Sequence, residues 1–567
     1  MISVSGKYWE EKKLNKRLID QIKYEQNFND ITARQVLSNE FNKEEIFSIN
    51  NKLNVKNPFI NIKDFINGVE LLNKSILKNN TIYVIGDYDV DGCVSTALLI
   101  NFLNIINKNN FYYIPNRFID GYGSSVNLIR KIITKKPDLI FFLDNGSNSH
   151  ETIGFLKKNK IKSIIIDHHD IYNPYPKSDI LINPKKNCHY SSYNYLCAAT
   201  LTYFFIDTYI SKFKLKINFS KNLELVLLAI ISDVMPLRRI NRIIAKNVLE
   251  NQNLKKNYLF NKILQIKKIN KPIELNDFGY LFGPIINSAG RLSDPNIVIK
   301  LLTSANNKII DQIINKLIIL NEKRKTIENN IMESFDFSKI KNNNKQVIIL
   351  DKSDMSEGII GIIAARIKTY FNKPAIVITH SEKLLKGSAR STSKINIGKL
   401  IKIALDKKII EKGGGHNLAA GFALKKKNLN LFKKFIYEYT KNSTLNEKNF
   451  FISKISLSSL TTNLINNLKL IKPYGEGNKN PFFLIQRVKI VKPKLINKNF
   501  ISCLIKNDNG NLFQAISFSF TKSEIFQNLL HNKNEVDIIV QIEESFWNNK
   551  KKLKLMIIDI FESFNKA

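Results

Sequence analysis

The stretch "TIYVIGDYDVDGCVSTALLI", from Thr81 to Ile100, constrains the fold more than any other. β-Branched and aromatic residues lead into three carboxylates on alternate positions, Asp87, Asp89 and Asp91, and an apolar run follows them. Asp-x-Asp-x-Asp-Gly is also how a calcium-binding EF-hand loop begins. Two features exclude that reading. The twelfth loop position, which should be a bidentate Glu, is Leu98, and the residues before Asp87 read as a strand and not as an entering helix. The acids therefore sit where a strand meets a helix.

Strand-like and helical segments go on alternating to about Asp233: "TIYVIGD", a helix through "STALLINFLNII", then "FYYIPN", "DLIFFLDNG" and "SIIIDHH". Such alternation implies a parallel sheet covered by helices. After Pro295 a long stretch nearly free of Gly and Pro keeps apolar residues at helical spacing, which predicts a connecting helix between lobes. A second α/β unit follows, with "QVIILD", a helix through "GIIGIIAARIKTYF", and "PAIVITH". From about Asn449 short alternating runs such as "FFISKISL" and "FFLIQRVKIVKPKLI" predict a small β-barrel.

At 567 residues the chain has room for about three to four domains, and 44% hydrophobic residues supply several cores. No apolar run approaches the ~18 residues of a membrane span, and the opening "MISVSGKYWEEKKLNKRL" has no apolar signal core. A soluble, cytoplasmic protein is expected. Cys93, Cys188, Cys197 and Cys503 are scattered without a C-x-x-C spacing, so neither a zinc site nor a disulfide framework is implied. The net charge of +38, from 87 Lys and Arg against 49 Asp and Glu, points to a polyanionic partner. Lys, Asn and Ile crowd the whole chain, however, as drift of a coding sequence toward A and T would also produce. Charge alone therefore does not establish nucleic-acid binding.

Three further features fall at the ends of elements in the first α/β unit. "LIFFLDNGS" ends in Asp144, "IIIDHHD" supplies Asp167, His168 and His169, and "LLAIISDVMPL" places Asp233 just past an apolar helix. Ligands of an open parallel sheet bind outside the carboxyl ends of its strands, so these residues can converge. Alone, each has an ordinary explanation: a strand-terminal Asp is commonly a turn former or cap, and a His pair is commonly structural. Their joint occurrence at corresponding points of successive elements argues for chemistry. Asp and His suit Mg²⁺ or Mn²⁺, and several carboxylates share one site only with cations present. Two ions about 3.5–4 Å apart, bridged by one carboxylate, would activate a water and steady the leaving oxygen of a phosphodiester.

"GDYDVDG", "DNG", "DHH" and "SDVMPL", in that order, resemble the motifs of the DHH phosphoesterase superfamily. "PNRFIDGYG" (115–123), "GPIINSAGRL" (283–292), "EGIIGIIAARI" (357–367), "KGSARS" (386–391), "GGGHNLAAGF" (413–422) and "PYGEGNKNP" (473–481) narrow the resemblance to the RecJ single-stranded-DNA exonucleases. It implies an N-terminal segment (1–45), a DHH catalytic domain (46–300), a connecting helix (301–340), a DHHA1 substrate-binding domain (341–445) and an OB-like nucleic-acid-binding barrel (446–567). It further implies a two-metal, Mg²⁺- or Mn²⁺-dependent 5′-to-3′ exonuclease that degrades single-stranded DNA to 5′-mononucleotides in recombination and repair. The chain would work as a monomer off the membrane, beside a single-strand-binding protein and a helicase.

Carried over by residue, the resemblance makes Asp87, Asp89, Asp144, His168 and Asp233 metal ligands, with Asp144 the bridge and Asp91 in or beside the shell. Asp167 would orient an imidazole, and His169 would contact the scissile phosphate. Arg117 and Arg291 would meet substrate phosphates. Ser388, Arg390, Ser391 and His416 would hold the strand near its 5′ end, with Gly413, Gly414 and Gly415 letting the backbone come close. Two departures stand out: Met355 and Ser356 occupy positions where the family has Trp-His, and "LCAATLTYFF" replaces a more Gly-rich stretch. The alternatives are a DHH-type phosphodiesterase acting on short oligoribonucleotides or dinucleotides, and a nuclease-dead single-stranded-DNA-binding scaffold. A haloacid-dehalogenase-like reading of "DYDVD" leaves "DHH" unexplained.

Overall fold

A computed structural model describes the chain except residues 107, 122, 187, 252–253, 255, 338–339, 341–344, 382–383, 393–394, 442–447, 497–499, 508–509, 511, 519–522, 532–533, 548–549 and 563–567. The expected domain boundaries at 340/341 and 445/446 touch residues outside the described ones. The chain divides into two compact units, Asn54–Lys441 and a second made of Met1–Leu53 with Asn442–Ala567.

The larger unit opens with the parallel sheet expected from the alternation. Ile82–Ile85 (β1) leads into the helix Val90–Ile105 (α1), followed by Asn110–Tyr113 (β2), Leu139–Leu143 (β3), Lys162–Ile166 (β4) and Ile180–Ile182 (β5). The strand order is β2-β1-β3-β4-β5 and every pairing is parallel. β1, β3 and most of β4 are buried, which is why they read as continuous apolar runs and not as alternating ones. Register brings their carboxyl ends level, since Ile85 pairs with Phe142 and Leu143 with Ile166. α1 is buried over almost its whole length, between the sheet and the helices Ala198–Lys212 (α2) and Leu223–Ser232 (α3).

Gly283–Leu292 (α4) carries Arg291, and Asn307–Glu333 (α5) is the long connecting helix. Beyond it, Ile348–Asp351 (β6), Ile360–Phe371 (α6), Ala375–His380 (β7), Leu385–Arg390 (β8), Ile397–Asp406 (α7), Lys412–His416 (β9) and Ala419–Leu424 (β10) build a sheet of order β9-β10-β8-β7-β6. Only β6 and β7 are parallel. Buried Glu328 of α5 pairs with Arg324 at 2.9 Å and with Arg366 of α6, which fixes the connecting helix to this second sheet.

In the other unit Phe483–Ile496 (β11), Phe500–Lys506 (β12), Leu512–Ser517 (β13), Val536–Trp547 (β14) and Lys550–Glu562 (β15) close a barrel, with β11 pairing both β12 and β14. The N-terminal residues belong to this unit. Tyr8–Glu11 pairs in parallel with Lys448–Phe451. The buried Asp559 of β15 accepts from Trp9 Nε1 (2.9 Å), Ser3 Oγ (2.8 Å) and Ser5 Oγ (2.7 Å). Among the described residues no helix is long and apolar enough to cross a membrane.

Candidate active site

The level strand ends of the first sheet gather the predicted acids. Asp87 follows β1 after Gly86, and Asp144 and Asp167 directly follow β3 and β4. Asp144 adopts a left-handed backbone with φ 61°, a conformation Asp tolerates better than most residues. Its N–H still donates to Ile166 O (3.0 Å), which keeps its side chain at the sheet's end. Asp89 caps α1 by accepting from Gly92 N at 3.0 Å, and Asp233 caps the far end of α3.

Three overlapping groups result: Asp87 with Asp89 and Asp144, Asp91 with His168 and Asp233, and Asp144 with both histidines. In each, the polar atoms lie within 4.8 Å of one another. Asp144 and His168 each belong to two of the three groups. His168 Nε2 lies 3.3 Å from Asp144, 3.5 Å from Asp233 and 3.6 Å from Asp91.

Burial and crowding dominate the electrostatics of this cluster. Burial, and then the neighbouring charge of Asp89, pushes Asp87 up to about 7 and Asp91 up to about 6. Burial and the charge of Asp91 hold Asp144 and Asp233 well above the carboxylate range. Burial, then the charge of His169, holds His168 well below the usual imidazole value. Asp144 Oδ1 and His168 Nδ1 are buried and take no hydrogen bond from the described residues. Crowded carboxylates, an orphaned oxygen and a neutral imidazole are the donor set that hard divalent cations take, so these residues fit Mg²⁺ or Mn²⁺.

Asp91 and Asp167 face elsewhere. Asp91 accepts from Ala198 N and Ala199 N, both at 2.8 Å, so its two oxygens hold the first turn of α2 while one edge touches the cluster. Asp167 accepts from Ser147 N (3.0 Å), His168 N (2.8 Å) and the His169 ring at Nδ1 (2.8 Å). Burial would raise Asp167, but His169 outweighs it and the carboxyl stays well below its ordinary value. Burial works against protonation of His169 too, yet Asp167 lifts that imidazole to about 9.

The basic residues expected to meet substrate surround the cluster. Arg117 lies over the ring of Tyr88, 4.2 Å from its centroid. Gly290 packs against the Tyr88 carbonyl so closely that only Gly fits, which brings Arg291 beside the acidic turn. Arg291 donates from Nη1 to Gly358 O (3.1 Å), and burial together with Arg117, Arg324 and Arg390 lowers it to about 10. Arg390 donates to Ser388 Oγ (3.2 Å), and a Cβ on Gly361, in the first turn of α6, would meet both side chains at 3.1 Å. Arginine, hydroxyl and a helix N-terminus are groups that suit an anion.

His416 reaches the first lobe, its ring bonded at Nδ1 to Asp170 Oδ2 (2.6 Å) and stacked on His169 with centroids 5.9 Å apart. Gly414 is exposed with open space at its Cβ position, whereas Gly415, at φ 157°, could not accept a side chain against Ala420. Ser391 is the one predicted contact that turns inward: it is buried and donates to Ile395 O at 2.6 Å. Asp170 was not anticipated, because its partner is 246 residues away and "DHHD" gives no sign of it. Met355 is buried, so the Trp-His positions hold a core side chain followed by Ser356.

Known proteins share the domains that carry these residues. The DHH family N-terminal domain matches residues 81–230, the DHHA1 domain 344–442 and the RecJ OB domain 453–559. The single-stranded-DNA-specific exonuclease RecJ of Haemophilus influenzae is 27% identical over 520 residues, covering 86% of this chain and 89% of that protein. The enzyme of that name from Escherichia coli is 25% identical over 519 residues, 87% of this chain and 89% of the relative. Crystalline RecJ with Mn²⁺ from Thermus thermophilus has the same fold, with a TM-score of 0.83 at 20% identity over 98% of this chain and 80% of its own. By its three domains in order and by its relatives over most of its length, the chain belongs to the RecJ family of DHH proteins.

Proposed function

We propose that this protein is a single-stranded-DNA exonuclease of recombination and repair that works from the 5′ end and releases 5′-mononucleotides. The observation that carries the reading is the pairing of two sites in one unit: the acid and histidine cluster at the sheet's end, and the arginine and serine anion site at the N-terminus of α6. An anion site beside the chemistry suits a terminal 5′-phosphate, which sets polarity. The names of the relatives supply the substrate, single-stranded DNA.

Asp87, Asp89, Asp144, His168 and Asp233 would hold two divalent ions, Mg²⁺ or Mn²⁺, with Asp144 between them; Asp91 stands beside them and keeps α2 in place. When bound, the ions supply Lewis acidity toward a water and the scissile phosphate. His169, made cationic and oriented by Asp167, faces the phosphate as a fixed positive charge. Arg117, Arg291, Arg390 and Ser388 bind flanking phosphates, and His416 closes over them from the second lobe. Such an enzyme works in the cytoplasm on ends opened by a helicase and covered by a single-strand-binding protein, and the barrel carries the longer strand.

Digestion of 5′- and 3′-labelled oligonucleotides, single- and double-stranded, with and without Mg²⁺ or Mn²⁺, tests this. Metal-dependent release of label from the 5′ end of single strands alone is expected. Equal digestion of duplex, or release from the 3′ end, would overturn it.

A further inference from the structure

The structure assigns Asn296 as a positioning residue that sets the place of Arg117 by completing the free edge of β2, an inference that rests on the proposed role of Arg117 as a phosphate contact. β2 is the edge strand of the catalytic sheet. Its Tyr113 carbonyl faces inward and accepts from Gly86 N at 3.3 Å. Ile114, next in the chain, turns both of its backbone groups the other way, where no strand follows. Asn296 supplies what a strand would. Ile114 N donates to Asn296 Oδ1 (2.9 Å), and Asn296 Nδ2 donates to Ile114 O (3.1 Å). Few side chains can pair both groups of one residue, because the task needs a donor and an acceptor on one planar group.

Ile114 is a point on which two parts of the site depend. Its side chain is fully buried, and a Cβ on Gly86 would meet its Cδ1 at 2.7 Å, so packing by itself keeps that side chain against the strand end that leads into Asp87, while the Asn296 amide holds its backbone. Three residues on, the chain presents Arg117. The turn between is fixed within itself: Asn116 Oδ1 accepts from Phe118 N (2.9 Å), while Asp120 Oδ2 accepts from Asn116 N (2.9 Å) and Tyr113 OH (2.8 Å). A turn that is rigid within itself takes its position from its anchors: the two short bonds of Asn296 to Ile114, with longer contacts from Asn116 Nδ2 to Ser293 O (3.5 Å) and from Lys131 to Asp120 (3.5 Å) beside them. Asn296 is in turn held by Asp294, which accepts from its N–H (3.0 Å) and its Nδ2 (2.7 Å), only a few residues after Arg291 at the end of α4. The amide thus sets the separation of the two guanidiniums that are to grip neighbouring phosphates.

The test is a double-mutant cycle on the full chain with Arg117→Ala, measuring kcat and KM on a single-stranded oligonucleotide. Asn296→Asp keeps the acceptor for Ile114 N and turns the donor into a second acceptor, set against both Ile114 O and Asp294 Oδ1. It should raise KM about tenfold and leave kcat and the melting temperature nearly unchanged. In the Arg117→Ala background it should add less than about twofold. Asn296→Leu, which removes both bonds, should behave in the same way. If Arg117→Ala itself leaves KM unchanged, the reading of Arg117 fails. If Arg117→Ala raises KM but the Asn296 changes do not, or their losses multiply with those of Arg117→Ala, the positioning role fails by itself. A variant that melts early and loses kcat in both backgrounds also overturns it, since Asn296 would then serve only general stability.

Discussion

Gly358→Ala is expected to have a large effect for one added methyl group. A Cβ there would stand 3.0 Å from the carbonyl carbon of Arg291 and 3.1 Å from its Cα, with the carbonyl oxygen closer still. Carbon atoms in contact prefer about 3.5–4.0 Å, so the two backbones must part by about 0.5–1 Å. Neither is a flexible tip: Arg291 is in the last turn of α4, and Gly358 stands just ahead of α6. Relief must therefore move the second sheet and its anion site away from the acid cluster, lengthening the bond from Arg291 to Gly358 O. Overpacking of this kind costs about 1–3 kcal/mol. A displacement of about 1 Å can cost about 100-fold in rate when substrate must be gripped at both sites. We therefore expect kcat/KM on a single-stranded oligonucleotide to fall about 100-fold, while bis(p-nitrophenyl) phosphate, too small to span the two sites, is hydrolysed in Mn²⁺ as by the wild type. Full activity on DNA would refute the reasoning, and so would equal losses on both substrates.

Four other outcomes follow from the same geometry. Asp144→Ala should lower hydrolysis by more than the roughly 10–100-fold typical of residues that only support a ligand, with single-strand affinity by fluorescence anisotropy unchanged. Mn²⁺ at 100 times its Kd should stabilise the wild type by about 2.7 kcal/mol in a thermal melt, and Asp144→Ala should lose most of that increment. Arg390→Ala should raise KM and reduce the slope of log affinity against log salt by about 0.7, the share of one phosphate contact on a single strand. A fragment of residues 54–441 should cleave a short oligonucleotide at saturating concentration but bind long strands weakly, and an unaltered affinity would remove the barrel's binding role.

Much of the catalytic lobe was legible because its chemistry sits at strand ends, where a run such as "LIFFL" or "SIII" announces the strand and the next polar residue marks its mouth. Asp87, Asp144, Asp167 and His168 could be placed in this way. Their division of labour could not. Asp91 lies two residues from Asp89 in the same turn, yet α1 begins between them, so Asp89 caps that helix while Asp91 points into the protein and meets the amides of α2. Ser391 follows the strand that ends at Arg390; its N–H still donates to Leu418 O (2.8 Å), while its hydroxyl turns in to Ile395 O.

Contacts made across long sequence separations were the least legible. Nothing in Tyr8–Glu11 names Lys448–Phe451 as its partner, and nothing in "DHHD" foretells His416. A local pattern reports which face of an element is buried, but not which distant element covers it. The close approaches at Gly290 and Gly358 show how such contacts reach function. In both, the absence of a side chain lets two backbones touch, on Tyr88 in one case and Arg291 in the other. In sequence each is only a glycine near a helix. In the fold the pair seats α4 between the acidic turn and the second sheet by direct backbone contact. Polar bonds then hold the second lobe at the distance those contacts allow: Arg291 to Gly358 O, Arg366 to Glu328 of the connecting helix, and His416 to Asp170.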